Sequence, residues 1–332
     1  MKKKIIYVVS AIFVVLVLFI TAEVSGIFKN KSAISIDIPS GCGTREISRI
    51  LKDNKIISSE NMFYMYSRVF GGTFQKGTHE ITSKSYWKIC EELESVTLSK
   101  SVTVTIPEGM EQREIAALIE VKGLVTAEEF NDAAKIDKYD YWFLKNIPVR
   151  DMQLEGYLFP DTYEFAFDES AESIIMKMLD NFDKKFTAEM KKQADKLGMT
   201  TDEIIIMASV VEREVASKNE LGLVSGVFYN RLNPNTESAG YLQSCATVQY
   251  ILKERKKVLS IADTEIKSDY NTYVKKGLPV GPIASPGLNC INAALNPQKT
   301  EYMYFAADGD GKHYFAETYD KHLKNMKKAG LM

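Results

Sequence analysis

The chain has 332 residues, of which 45% are hydrophobic and 26% are charged. These values are typical of a globular protein with room for two domains, and they exclude a disordered or low-complexity chain. The net charge of −2 and the isoelectric point near 6.1 provide no basic field for phosphates, which argues against nucleic acid as a partner.

The N-terminus differs from this average composition. Three lysines follow Met1 and precede Ile5–Ala22, a run without charged residues. This length is near the lower limit for one bilayer-spanning helix, and the lysines orient the N-terminus toward the cytoplasm. A cleaved signal peptide is the alternative, but its apolar core is usually shorter, and a cleavage site fits poorly around Ile20–Ala22. The sequence predicts a cytoplasmic tail (1–4), a transmembrane helix (5–22) and an extracytoplasmic remainder in a single-pass protein of the cell membrane.

A repeat with a spacing of 68 residues follows a short spacer. The segment Ile36–Gly41 (IDIPSG) matches Val104–Gly109 (VTIPEG), and Arg-Glu-Ile follows in both copies. Alternating polarity in Ala33–Ile38 and Ser101–Ile106 predicts that each copy begins with a strand. A Pro-x-Gly turn, an amphipathic helix and a second helix with a Ser or Thr cap should follow. The simplest interpretation is two similar building blocks without a site of their own.

The residues between the two copies favour one more strand, Gly77–Ile81, and one more helix, Tyr86–Ser95. They complete a small α+β module over residues 33–100. Residues 101–332 mix helices with turn-rich stretches and form a larger α+β domain. The helices predicted in this domain are Ala171–Leu197, Thr201–Ser217 and Leu221–Leu232.

The sequence offers little from which to build a metal site. It contains no CxxC or HExxH spacing, and its three histidines are scattered. No metal and no cofactor is therefore predicted. Disulfides are chemically permitted on the outer side of a membrane, although the spacing does not require them. The four cysteines are Cys42, Cys90, Cys245 and Cys290.

The predicted helix Thr201–Ser217 (TDEIIIMASVVEREVAS) carries one carboxylate, Glu212, on an apolar side. At 3.6 residues per turn, Ile205 and Ala208 lie on the same side as Glu212, whereas Glu203 points elsewhere. Transfer from water to an apolar environment favours the protonated form of a carboxyl group, so Glu212 is a candidate general acid. A half-buried glutamate paired with a lysine or arginine is the alternative interpretation.

Four long segments occur in a fixed order and together resemble one family. They are LEGYLFPDTYEF (Leu154–Phe165), ASVVEREVA leading to VFYNRL (Ala208–Leu232), LQS with TVQY (Leu242–Tyr250), and YNTYVKKGLPVGPIASPGLNCINAALNP (Tyr270–Pro297). The chain resembles the endolytic murein transglycosylase family, also called YceG-like or MltG. The resemblance covers nearly everything after the predicted transmembrane helix.

The resemblance implies an activity. It implies that residues 33–100 form a LysM-like module and that residues 101–332 form the catalytic domain. Family members cleave the bond between N-acetylmuramic acid and N-acetylglucosamine in peptidoglycan, and their catalytic glutamate aligns with Glu212. The 6-hydroxyl of muramic acid replaces water, so one carboxylate suffices and a 1,6-anhydro end remains. The resemblance further suggests internal cleavage of nascent glycan near the membrane, with cell-wall synthesis enzymes as partners.

Polar and aromatic residues of the matching segments are candidates for sugar binding, because polar groups among apolar walls usually orient such ligands. The alternative is that Glu155 and Asp161 cap turns while Tyr163 packs in a core. The substrate-binding candidates are Glu155, Asp161, Tyr163, Asn230, Arg231, Gln243, Asn271 and Tyr273.

One position departs from the family pattern. Relatives commonly carry Asp-Pro where this chain has Cys245 and Ala246. A thiol cannot replace the charge of an aspartate, which puts the detail of this loop in doubt. A disulfide between Cys245 and Cys290 is a further possibility.

Two other functions compete with the lytic activity. One is a non-catalytic peptidoglycan-binding protein, against which the intact ASVVEREVA segment argues. The other is a water-using muramidase, which needs Glu155 or Asp161 as a second catalytic carboxylate. The product distinguishes the muramidase from the lytic transglycosylase, because hydrolysis leaves a free reducing end and the lytic route leaves an anhydro ring.

Overall fold

The structure is a computed structural model. The predicted tail (1–4) and the predicted transmembrane helix, apart from Thr21, lie outside the described residues. Within the described ranges, no helix is both long enough and apolar enough to cross a membrane. The chain divides into two compact units, Met1–Lys100 and Ser101–Met332. The structure describes residues 21, 24–26, 33–39, 41–94, 101–215, 217–256 and 258–331.

Within the described residues from 33 to 94, the first unit combines an antiparallel pair of strands, β1 (Ile34–Ile38) and β2 (Gly77–Ile81), with three helices, as the sequence predicts. β1 and β2 pair with Ile36 opposite His79. Ser59 caps the second helix by accepting a hydrogen bond from the backbone N–H of Met62. Leu51 and other apolar side chains are fully buried between the helices and strands. The elements are β1 (Ile34–Ile38), α1 (Thr44–Asp53), α2 (Glu60–Phe70), β2 (Gly77–Ile81) and α3 (Tyr86–Glu94).

In its described residues, the second unit is a helical assembly with two short antiparallel strand pairs, Ser101–Thr105 with Thr162–Ala166 and Tyr304–Ala307 with His313–Ala316. The α+β class predicted from the sequence is confirmed by this mixture. The elements are β3 (Ser101–Thr105), α4 (Gln112–Val121), α5 (Ala127–Ala133), β4 (Thr162–Ala166), α6 (Ala171–Lys185), α7 (Ala188–Leu197), α8 (Thr201–Glu214), α9 (Leu221–Leu232), α10 (Cys245–Leu252), α11 (Ile261–Thr264), α12 (Leu288–Leu295), β5 (Tyr304–Ala307), β6 (His313–Ala316) and α13 (Tyr319–Lys328).

The two copies of the repeat have the predicted local order of strand, turn, helix and capped helix. The turn glycines, Gly41 and Gly109, have φ angles of +87° and +78°, a region that side chains disfavour. Thr126 caps α5 in the second copy by accepting a hydrogen bond from the backbone N–H of Glu129. The strands have different partners, because β1 pairs with β2 whereas β3 pairs with β4. Each copy therefore belongs to its own unit.

Two predicted helices have different ends in the structure. The predicted helix Ala171–Leu197 is two helices, because the Thr187 side chain accepts a hydrogen bond from the N–H of Met190 and starts α7. The helix predicted to reach Ser217 ends at Glu214, where the backbone becomes extended. The predicted helix Leu221–Leu232 is confirmed.

Helix α8 lies in the core of the second unit. Its residues from Ile204 to Val211 are buried without interruption, and α12, α9, α10 and α7 pack around it. A helix that is apolar on all sides is stable only inside a protein. Its last turn, Glu212 to Glu214, is partly exposed. The fold therefore fixes the carboxylates of this turn on a rigid support.

Candidate active site

Glu212 lies in the last turn of α8 and is partly exposed. Its Oε2 accepts a hydrogen bond of 2.8 Å from the backbone N–H of Gly287. Gly287 is the N-cap residue of α12. The first N–H groups of a helix have no partner within the helix, so this one is available to the carboxylate. The alternative interpretation from the sequence was an ion pair between Glu212 and a lysine or arginine. In the structure a backbone N–H binds the carboxylate instead.

The Pro-Glu-Gly turn of the second repeat copy contacts Glu212. A Cβ placed on Gly109 would lie 3.5 Å from Cγ of Glu212. Two backbone hydrogen bonds tie this turn to the loop before α12: Gly109 N–H donates to Ser285 O (2.8 Å), and Ser285 N–H donates to Met110 O (2.7 Å). The repeat therefore contributes one wall of the site.

Glu108 brings a second carboxylate to the same place. Its side chain is exposed, and its carboxylate occupies the space that a Cβ on Gly287 would need. A larger residue at position 287, next to the N–H that binds Glu212, would displace the Glu108 carboxylate. Sequence reasoning missed Glu108, although one signal was available: the first repeat copy has Ser40 at the equivalent position.

Arg213 binds the backbone of the Pro-Glu-Gly turn. Its Nη1 donates a 3.0 Å hydrogen bond to Gly109 O and lies 3.8 Å from Oε1 of Glu111. Glu111 also forms an ion pair with Arg113. Burial raises the pKa of Glu111, while the two arginines act in the opposite direction. Burial lowers the pKa of Arg213. Buried opposite charges of this kind hold each other in position.

Comparison with known proteins shows the family to which this chain belongs. The YceG-like family model matches residues 36–328. The chain belongs to the YceG-like family. It is 34% identical over 318 residues to an endolytic murein transglycosylase of Bacillus subtilis (strain 168), covering 90% of this chain and 85% of the relative.

Two further comparisons agree with this family. The endolytic murein transglycosylase of Streptococcus pneumoniae serotype 2 (strain D39 / NCTC 7466) is 31% identical over 328 residues, covering 90% of this chain and 58% of the relative. A 2.6 Å crystal structure of a YceG-like protein from Listeria monocytogenes has a TM-score of 0.60 at 30% identity. That match covers 89% of this chain and 99% of the other.

Glu155 of this YceG-like chain is buried, with 1% of its surface exposed. Both carboxylate oxygens accept hydrogen bonds of 3.0 Å from the N–H of Gln112, the first residue of α4, and Oε2 accepts one from the Tyr250 hydroxyl. Burial raises the pKa of Glu155 to about 8. The side chain borders a cavity of about 190 Å³ that Arg113 and Tyr270 also line. These contacts anchor the start of α4, and sugar binding by Glu155 remains a prediction.

Asp161 and Tyr163 form a network of their own beside α6. The Asn181 amide donates to both, at 3.0 Å, and Lys185 lies 3.6 Å from Oδ2 of Asp161. The hydrogen bond from Asn181 lowers the pKa of Asp161. The Tyr163 hydroxyl donates to the carbonyl of Phe159. This geometry matches the alternative in which Asp161 supports a turn and Tyr163 packs in a core.

Three other predicted site residues donate hydrogen bonds to backbone carbonyls. Arg231 is buried, and Asn271 is completely buried. Such bonds fix loops, and sugar binding by Asn230 and Asn271 remains a prediction. The accepting carbonyls are those of Thr300 and Tyr302 for Asn230, Met303 and Leu242 for Arg231, and Thr264 and Ile266 for Asn271.

The structure brings Arg231, Gln243 and Tyr273 together around a cavity of about 390 Å³. Glu214, at the end of α8, lines the same cavity and accepts a hydrogen bond from the Ser244 hydroxyl. Burial raises the pKa of Glu214. Sequence reasoning missed Glu214, although it stands only two positions from Glu212. Three of the predicted substrate residues thus share one cavity with a carboxylate.

The structure has no disulfide between Cys245 and Cys290, and Cys42 and Cys90 are not in disulfides either. Cys290 is buried in α12, whereas Cys245 is exposed and lies 3.1 Å from the Tyr273 hydroxyl. Among the residues that the structure describes, no group of three or more His, Cys, Asp and Glu side chains could hold a metal ion.

Proposed function

We propose that this YceG-like protein is a lytic transglycosylase that cleaves the bond between N-acetylmuramic acid and N-acetylglucosamine in peptidoglycan. The observation that carries this proposal is the Glu212 carboxylate, partly exposed at the end of a buried helix and bound at one oxygen by Gly287. The names of the relatives from Bacillus subtilis and Streptococcus pneumoniae support the reaction class.

In the proposed mechanism Glu212 acts first as an acid and then as a base. Its carboxyl group donates a proton to the glycosidic oxygen, the bond from C1 to that oxygen breaks, and N-acetylglucosamine leaves with a 4-hydroxyl. The 6-hydroxyl of the muramic acid then attacks C1, and its proton returns to Glu212. The products are a 1,6-anhydro end and a regenerated acid. The hydrogen bond from Gly287 holds Oε2, so Oε1 carries the transferred proton.

Substrate contacts are proposed for the cavity beside Glu214. Gln243 and Tyr273 are exposed or partly exposed there, and an aromatic face beside an amide suits an N-acetyl sugar. The buried Arg231 would fix the loop that carries Gln243, because it donates to Leu242 O. Glu155, Asp161, Tyr163, Asn230 and Asn271 would shape the surrounding loops.

The proposal includes the organisation of the whole chain. The uncharged run Ile5–Ala22 supports one membrane-spanning helix with a cytoplasmic tail before it. A LysM-like module over residues 33–100 would hold glycan, and residues 101–332 would cut it outside the membrane. An anchor of one helix keeps the catalytic part near emerging strands, which favours internal cleavage of nascent glycan beside the enzymes that synthesise it.

Mass spectrometry of digested peptidoglycan tests this function. The detergent-solubilised full chain and its Glu212→Gln variant would each be incubated with purified peptidoglycan. We expect anhydro-muramic ends from the parent and none from the variant. Free reducing ends from the parent would support the water-using muramidase instead. No product from either protein would support the non-catalytic peptidoglycan-binding protein.

A further inference from the structure

The turn of the second repeat copy carries a carboxylate, that of Glu108, to which the mechanism above gives no role. We infer that Glu108 is a second catalytic residue, whose anionic carboxylate stabilises the positive charge that develops on the sugar when the glycosidic bond breaks. The inference rests on the proposed cleavage at Glu212. It adds Glu108 as the group that stabilises the positive charge on the sugar.

Distance supports this role. The Glu108 carboxylate fills the space of a Gly287 Cβ, and the N–H of Gly287 donates to Glu212 at 2.8 Å. With ordinary bond lengths, the nearest carboxylate oxygens of Glu108 and Glu212 are therefore at most about 7 Å apart. Paired carboxylates of glycosidases are separated by about 5 to 9.5 Å. A sugar ring bound at Glu212 thus lies within reach of Glu108.

The second carboxylate is held by a rigid backbone. Gly109 and Met110 exchange hydrogen bonds with Ser285, and Arg213 donates to Gly109 O. These contacts fix the turn from both sides, and Gly287 leaves the room that the carboxylate needs. A charge that is already in place when the transition state forms lowers its energy without reorganisation.

The first repeat copy indicates that the local fold does not require this carboxylate. Ser40 replaces Glu108 there, yet β1, the positive φ of Gly41 and helix α1 form the same strand, turn and helix. Glu108 makes the second turn different in charge while the backbone pattern is kept. The local backbone therefore does not explain the carboxylate at position 108, which favours a functional role for Glu108.

The chemical step balances without a new covalent bond to Glu108. As the bond from C1 breaks, its electron pair goes to the leaving oxygen, which takes the proton of Glu212. Positive charge then spreads over C1 and the ring oxygen, and the ionised Glu108 faces it. Attack by the 6-hydroxyl removes the charge and returns a proton to Glu212, so Glu108 neither gains nor loses a proton in the reaction.

The test compares three variants of the full chain in detergent. Glu108→Gln removes the charge, Glu108→Ser copies the residue of the first repeat, and Glu120→Gln is the control, since Glu120 is an exposed carboxylate of α4. We expect kcat to fall about 100-fold in both Glu108 variants. Binding of glycan strands should stay within twofold of the parent, the melting temperature should not change, and the control should keep full activity.

Several outcomes decide between the inference and the proposed function. Anhydro ends from the parent, with an unchanged kcat in Glu108→Gln and Glu108→Ser, would overturn the role of Glu108 alone. A loss that appears in glycan binding and leaves kcat unchanged would also overturn it. Reducing ends from the parent with the expected fall in kcat would overturn the lytic chemistry and support Glu108. A parent without any product would overturn both.

Discussion

Replacing the buried Glu155 by glutamine should make folding less sensitive to pH. Burial raises the pKa of Glu155 from 4.5 to about 8 in the folded state. Between these values the folded chain holds a proton that the unfolded chain has lost. The stability from this group is therefore complete at low pH and falls as pH rises toward 8.

The slope sets the expected magnitude. One proton changes the free energy of unfolding by about 1.4 kcal/mol per pH unit, which amounts to about 3 kcal/mol between pH 5 and pH 7.5. Glutamine does not titrate, and its oxygen can still accept the hydrogen bond from the N–H of Gln112. The Glu155→Gln variant should therefore lose this slope and become more stable than the parent near neutral pH.

Urea denaturation of both proteins at pH 5, 6, 7 and 7.5 measures the difference. All other titrating groups cancel when the two unfolding free energies are subtracted at each pH. A matched control is Glu128→Gln, an exposed carboxylate at the start of α5, which should parallel the parent. A parent and a Glu155→Gln variant with equal slopes would refute the reasoning, because Glu155 would then ionise alike in the folded and unfolded chains.

Three further predictions concern glycines and a thiol. Gly287→Ala should lower kcat at least tenfold, because the new methyl group would displace the Glu108 carboxylate from the position proposed for it above. The turnover of glycan strands measures this effect, and full activity would contradict the role of Glu108. Gly226→Ala should destabilise the second unit by about 1 to 3 kcal/mol, because its Cβ would overlap a backbone carbonyl. Urea denaturation measures this loss of stability, and an unchanged midpoint would contradict the close packing at Gly226. Tyr273→Phe should slow the alkylation of Cys245 by iodoacetamide at pH 8. Desolvation of the sulfur raises the pKa of this thiol, although the residue as a whole is exposed, and the hydrogen bond from Tyr273 lowers it, so the loss of that bond should raise the pKa further. Labelling followed by mass spectrometry gives the rate, and faster labelling would contradict this sign.

Local patterns in the sequence predict the local structure of this protein well. The alternation before each Pro-x-Gly turn and the Ser and Thr caps identify the strands and helices of both repeat copies. The break between α6 and α7 was not predicted, since an apolar pattern continues through it. The only local signal is Thr187, which caps the start of α7. Periodicity reports which face is apolar, whereas a cap competes with helix continuation at a single residue.

The site was predicted only in part, for a different reason. Glu212 could be proposed as the general acid because its own helix is apolar around it, and that role stays a prediction. Its neighbours Glu108 and Gly287 come from distant segments, and no local pattern states which turns meet. Glu155 illustrates the converse: it belongs to a recognisable motif, but the direction of its side chain, toward the N–H of Gln112, follows from packing alone.

The hydrogen bonds between the Gly109 turn and Ser285 have a consequence for biosynthesis. They join the beginning of the second unit to a segment more than 170 residues later, so they can form only after that segment has been synthesised. A chain that is still being synthesised lacks Gly287, and with it the donor that orients Glu212. We therefore expect that a chain ending before residue 285 cleaves no glycan, because it lacks both the backbone contacts of the Gly109 turn and the donor to Glu212.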